Sequence, residues 1–252
     1  MSFLIGFFAG SFGGLVGLGG GVIMVPLMDG ILKLPQLKAH GTSLVALVFT
    51  GITGAVTYAL RGNVDVMASV LLASTAIFTA RAGARYAHAL PEWKLKKYFG
   101  IFMILITILL LMKPYLLSNA GGAEVQIWVK VIVLLLTGVI TGFLSGMMGV
   151  GGGTIMVPAM VLLAGFTQHT AQGSSLLAMV PSGGVGAHTH WRLGNVDTRV
   201  LVGLIPGILI GTFLGGSLAH FISEDTLRII FAAVLVWTGI RYLRASAPPK
   251  GK

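Results

Sequence analysis

The run GLVGLGGGVIMVP, residues 14–26, sets five glycines and a proline inside an otherwise apolar segment, and it returns 132 positions later as GMMGVGGGTIMVP, residues 146–158. Glycine inside a helix costs about 1 kcal/mol relative to alanine, so three in succession work against a continuous helix. Each run sits in the middle of a long uncharged stretch, 2–34 or 125–164. At about 1.5 Å per residue, an unbroken helix over 2–34 would be about 50 Å long, against a bilayer core of about 30 Å. The expectation is a break at each glycine run.

Of the 252 residues, 55% are apolar and 10% charged, against roughly 45–50% and about 25% in soluble domains. A soluble helical bundle would need polar helix faces that this chain lacks, so the sequence reads as an all-α polytopic membrane protein. MSFLIGFF at the N-terminus has no basic residue before its apolar run, unlike a secretory signal peptide. The chain has no cysteine, which excludes disulfides and thiolate chemistry. Its net charge of +10 is read as Lys and Arg held at an anionic cytoplasmic membrane surface, and no nucleic-acid partner is expected.

The 132-residue offset aligns more than the glycines. AHGTSLVALV (39–48) falls on AQGSSLLAMV (171–180), and GNVD (62–65) on GNVD (194–197). Two copies follow, 1–112 and 125–244, joined by a linker at 113–124 and followed by a disordered tail at 245–252. Each copy has its glycine-broken first segment plus three further helices: about 41–60, 66–89 and 98–112 in the first, and 171–190, 198–221 and 226–243 in the second.

The distribution of Lys and Arg decides how the first segments run. If each crosses the membrane once, the basic residues divide nine to eight between the two sides; if each turns back at its glycines, they divide thirteen to four. The second division is a strong positive-inside bias. It predicts two inverted-topology repeats with both termini in the cytoplasm, the construction of many secondary transporters.

Backbone bared inside a membrane must face protein or a wet cavity. After each glycine run an apolar stretch begins, so the run can serve as the loop before a short helix whose free N–H groups attract an anion. Pro26 and Pro158 fall early in those helices. The candidate substrate-binding set is therefore Gly19, Gly20, Gly21, Gly151, Gly152 and Gly153, joined by Thr42, Ser43, Ser174 and Ser175, read as N-caps whose hydroxyls can also donate to an anion. Close packing of glycine faces is the competing explanation for the glycines. His40 and Gln172, also candidate substrate-binding residues, occupy equivalent positions in the two copies, which makes the halves of the site unequal.

The paired G-x-x-G-x-G-G-G-x-x-x-V-P runs, the G-T-S-L and G-S-S-L segments and the two G-N-V-D elements together resemble the TauE/SafE family of membrane transporters, over residues 4–244. The resemblance implies a secondary transporter in the bacterial cytoplasmic (inner) membrane, carrying sulfite, a sulfonate or another small organic anion, with the anion-site role falling on the glycines, Thr and Ser named above. Substrate would sit between the two broken segments while the repeats rock around it.

Asp29 near the membrane interior and His40 beside the candidate site are the proton-coupling candidates, although Asp29 can equally pair with Lys33 one turn on. His188 and His190 lack further ligands at suitable spacing, so no metal site and no cofactor are expected, and both are assigned to packing with Trp191 and Arg192. Asp65 and Asp197 are read as closing the GNVD turns. No H-E-x-x-H and no carboxylate pair suggests an enzyme. An anion channel remains an alternative, a membrane enzyme or a non-transporting assembly subunit a weaker one. The expected partners are a small anion, the lipid bilayer and a co-transported proton or cation, with homodimer formation left open.

Overall fold

The computed structural model describes residues 1–87 and 126–244 throughout, and scattered positions between 93 and 111. The expected linker at 113–124, the tail at 245–252 and about half of the 98–112 segment lie outside the described residues. The described regions form helices, with no strand among them. In chain order the helices are α1 (Ser2–Val16), α2 (Gly21–Leu32), α3 (Gln36–Ala59), α4 (Val66–Tyr86), α5 (Ile127–Met148), α6 (Gly153–Leu162), α7 (Gln168–Arg192), α8 (Thr198–Ala219) and α9 (Glu224–Leu243).

Both glycine runs break a helix. α1 stops at Val16 and α2 restarts at Gly21, while α5 stops at Met148 and α6 restarts at Gly153. The stop has a local cause: Gly17 (φ 72°) and Gly149 (φ 63°) take the left-handed conformation that ends helices and that a Cβ disfavours. Among the described residues five helices, α3 (from Leu37), α4, α5, α8 and α9, are long and apolar enough to cross a bilayer. Their outer faces carry Val70, Phe78, Ile132, Val202 and Ile229, all more than half exposed, as lipid requires and water would penalise. The chain is a multi-pass membrane protein.

α7 is as long as these but carries His169, Gln172, Ser174, Ser175 and Ser182 along its length. It avoids lipid by lying at the centre, where most of these side chains are buried. The GNVD turns do what their composition suggested: Asp65 accepts from the Ala68 amide and Asp197 from those of Arg199 and Val200, capping α4 and α8.

Small residues set the packing. Gly6, Gly10 and Gly14 of α1 face Leu204, Ile208 and Thr212 of α8, whose own Gly203, Gly207, Gly211 and Gly215 face Ser2, Phe3, Phe7 and Ser11. The residue numbers rise together, so α1 and α8 run parallel. In the same way Gly138, Gly142 and Gly146 of α5 lie on Leu72, Ala76 and Ala80 of α4. These are the close backbone approaches that small residues at every fourth position permit. Between the two pairs α3 and α7 run antiparallel: Gly41 meets Asn195 just past the end of α7, Gly51 meets Leu176 and Val180, and Gly173 meets Asn63 just past the end of α3.

Candidate functional site

At the centre, the two breaks pack directly against each other. A Cβ on Gly21 would lie 2.6 Å from the carbonyl oxygens of Gly149 and Val150, and one on Gly153 would strike the carbonyl of Gly17. Each break also exposes a carbonyl that its own helix no longer uses. Ser175 Oγ donates to Gly17 O at 3.0 Å, and Ser43 Oγ donates to Gly149 O at 2.7 Å. α7, in the second copy, thus seals the break of the first, and α3 in the first seals that of the second.

These serines are not N-caps. α3 begins at Gln36 and α7 at Gln168, so Thr42, Ser43, Ser174 and Ser175 lie in the second turn of their helices. Thr42 Oγ1 accepts from the Asp197 amide at 2.9 Å and Ser174 Oγ from the Asp65 amide at 2.8 Å. All four hydroxyls bind the opposite copy's backbone, and all four residues are fully buried.

His40 and Gln172 flank the breaks, as the repeat alignment placed them. His40 is buried with Nδ1 3.4 Å from Met147 O, and Gln172 lies against Gly17. Asp29 is different. It is exposed near the end of α2, away from the breaks, and Lys33 leaves the helix at φ 51° without forming an ion pair to it.

The space beside the glycines is filled by one side chain from each copy. Leu47 packs on Gly19 and Gly151; Met179, its counterpart 132 positions on, packs on Gly19. The Gly152 amide donates to Met179 Sδ at 3.2 Å, and a thioether is a weak acceptor. The gap beside Gly20, walled by Phe12, Val22 and Val234, is too small for a water. The expectation that Gly19–Gly21 and Gly151–Gly153 line a wet cavity is therefore not met in this conformation, because Leu47 and Met179 occupy the place a ligand would take.

A cleft of about 570 Å³ is lined by Arg81 and Arg85 on α4, by Pro181, Gly184, Val185, His188, Thr189 and Arg192 on α7, and by Leu193. From Arg192 at the helix end to Pro181 it follows α7 for about 16 Å, roughly half a bilayer core. Pro181 is exposed, on the opposite face of α7 from the buried Met179 two residues before it. Among the described residues no carboxylate pairs with Arg81, Arg85, His188 or Arg192, the ion pairs there being His169–Glu224 and Arg228–Asp225. The 132-residue offset carries this lining to Phe49, Ile52, Thr53, Val56, Thr57, Leu60, Arg61, Phe213 and Ser217, with Arg61 the one basic residue among them. The copies differ in charge here: three arginines line the cleft, against one at the counterpart positions.

Residues 2–242 match the family described as sulfite exporter TauE/SafE. The chain belongs to this family. Its curated TauE/SafE-like relatives include the probable membrane transporter protein YunE of Bacillus subtilis, 30% identical over 96% of this chain and 98% of that one. The probable membrane transporter protein MJ0441 of Methanocaldococcus jannaschii is 27% identical over 94% and 92%. No solved structure matches. As a TauE/SafE protein the chain is a membrane transporter by family, and its relatives' names are transporter names rather than enzyme names.

Several groups escaped the sequence reading of this TauE/SafE chain. Tyr58 OH donates to Gly14 O at 3.0 Å and lies 2.9 Å from Gln172 Oε1, and His190, its counterpart, places Nε2 3.0 Å from Gly146 O. The 132-residue offset could have paired Tyr58 with His190. It could not have brought Arg81 and Arg85 to His188 and Arg192, because those pairs come from different copies at unrelated positions.

Proposed function

We propose that the protein is a secondary transporter that carries a small sulfur-containing or organic anion, such as sulfite or a sulfonate, out of the cytoplasm by alternating access around the crossed breaks. The observation that carries this reading is the Gly152 amide, held by a thioether at the crossed breaks; a basic cleft with no described carboxylate lies on the other face of α7 from that thioether. An oxyanion is a much better partner for an amide than a sulfur is, and charge-assisted bonds are roughly twice as strong as neutral ones. Arg81, Arg85, His188 and Arg192 gather the anion; it then displaces Met179 and Leu47 and binds the backbone amides of Gly19–Gly21 and Gly151–Gly153. Reorientation of the two copies exposes it on the other side.

The cleft belongs to the cytoplasmic face, in the bacterial cytoplasmic membrane, with both termini on that side. The positive-inside bias supports this orientation, as do the antiparallel courses of α3 and α7, which fit repeats of inverted topology. An inside-negative potential drives an anion outward by about 2.3 kcal/mol per charge per 100 mV, so export requires no other energy source. The protein performs no chemistry on its substrate.

Purified protein in liposomes tests the proposal. Saturable sulfite or methanesulfonate flux is expected, with its apparent KM raised about tenfold or more in an Arg81→Gln, Arg192→Gln double variant, the scale of losing two charge-assisted contacts. Absence of flux in the wild type contradicts transport of these anions, unitary currents identify a channel, and conversion of substrate without flux identifies an enzyme.

A further inference from the structure

At the face opposite the basic cleft, where α3 and α8 end and α7 and α9 begin, a second polar group of side chains surrounds His169 and His220. His169 Nε2 lies 3.1 Å from Ala219 O, and Nδ1 lies 3.5 Å from the carboxylate of Glu224. Both partners are acceptors, so the ring makes both contacts only as an imidazolium. His220 is its complement. Nδ1 lies 2.7 Å from Gly216 O and must carry the proton, while Nε2 is buried with no protein partner. That leaves a bare lone pair on a ring 5.6 Å, centre to centre, from that of His169.

The next contacts lead inward. The His220 ring lies 4.8 Å from that of Tyr58, whose hydroxyl reaches Gln172 Oε1 and the carbonyl of Gly14, three residues before the first break. Gln172 O in turn accepts from Ser175, the serine that seals Gly17. Gln172 Nε2 and both polar side-chain atoms of Gln168 are buried at this end without protein partners, an arrangement that proton passage can use and close apolar packing cannot.

We propose that His169 and His220 form a proton-binding pair, on the membrane face opposite the basic cleft, whose protonation is coupled to the first glycine break through Tyr58 and Gln172. A proton leaves a ring nitrogen of His169 for Nε2 of His220, and His169 regains one from water on the Glu224 side, so the pair gains one positive charge. His220 then holds a cation against the Tyr58 ring and a new N–H that needs an acceptor. The hydrogen bonds that Tyr58 makes to Gly14 and Gln172 respond, and with them the seal on the first break. The surrounding charges oppose casual protonation. Burial lowers the pKa of His220 first, its bond to Gly216 raises it, and the charges of His169 and Arg61 lower it further. Glu224 holds His169, while Asp225 and Arg228 are paired with each other at 3.1 Å. On the cleft side His190 occupies the Tyr58 position, and the counterpart of His220, His88, lies outside the described residues.

The proton site itself is independent of the transport proposal; the coupling rests on it, and two measurements separate them. Nitrogen-15 NMR of histidine-labelled protein in nanodiscs is expected to show His220 as the Nδ1–H tautomer at neutral pH. Its Nε2 gains a proton only on acidification below the ordinary histidine value of 6.5, and His169→Gln moves that titration upward. An Nε2–H tautomer, or a titration unaffected by His169→Gln, overturns the proton site whether or not the protein moves sulfite. In liposomes, a pH gradient is expected to change the wild-type sulfite or methanesulfonate flux several-fold, and His220→Gln or, should that variant not fold, His169→Gln makes the rates with and without the gradient equal. Wild-type flux indifferent to the gradient, or a gradient effect retained in both variants, overturns the coupling. Wild-type protein that moves neither anion defeats the transport proposal and the coupling with it, and leaves the NMR result to decide the proton site.

Discussion

Single residues hold the centre together across the repeat boundary. Ser43 and Ser175 each donate to the carbonyl at the other copy's break, so their removal leaves a buried acceptor unsatisfied, which costs about 1–3 kcal/mol. Ser43→Ala and Ser175→Ala should each lower the thermal midpoint in detergent by several degrees, and a change within measurement error in both would show that these bonds do not hold the breaks. His220 adds a pH dependence with a defined sign. Its folded-state pKa lies below its ordinary value, so its contribution is complete above about pH 6.5 and is lost as the pH falls through the folded value. Unfolding midpoints followed downward from pH 7 should therefore fall faster in the wild type than in His220→Gln. Equal slopes would contradict the burial of its Nε2.

Among the helices, what could be read in advance was what is local. Three consecutive glycines, duplicated, announced both breaks, and the left-handed Gly17 and Gly149 account for where α1 and α5 stop. The hydroxyl pairs were misread as caps because α3 and α7 start earlier than their apolar runs, behind Pro35 and Thr167, which turns a capping position into an interior one. Glycine-face packing, the competing explanation for the central runs, governs the helix pairs. It also operates at the breaks themselves, where Gly21 and Gly153 each admit the other copy's backbone. Gly207 lies against the backbone of Phe3 and Phe7, whereas a Cβ on Gly184 would meet nothing within 4 Å. Gly207→Ala should destabilise by about 1–3 kcal/mol through overpacking, while Gly184→Ala, in open space inside a helix, should stabilise by up to about 1 kcal/mol. Denaturant titration of both variants checks the contrast, which a similar loss in each would refute.

At the scale of the whole molecule the two copies interlock rather than stand side by side: α1 lies on α8, α5 on α4, and α3 crosses α7. Neither the basic cleft nor the histidine pair was legible beforehand, because each assembles residues that only this interlocking brings together. The glycine crossing was legible as chemistry but not as a state, since no local pattern says that Leu47 and Met179 fill it. If the copies are inverted, reporters at residues 63 and 195, in the matching GNVD turns, must lie on opposite sides of the membrane; both on one side would reject the orientation.

The central claim is that the crossed breaks open in turn to each side around an anion. The chain contains no cysteine, so a single Met179→Cys substitution places one thiol at the crossing without further change. Modification of that thiol by a small charged thiosulfonate reagent, added to one side of the membrane and then to the other, is the most direct measurement. The account predicts modification from both sides, slowed from each by methanesulfonate. A thiol that reacts from one side only, or that methanesulfonate does not protect, would contradict it.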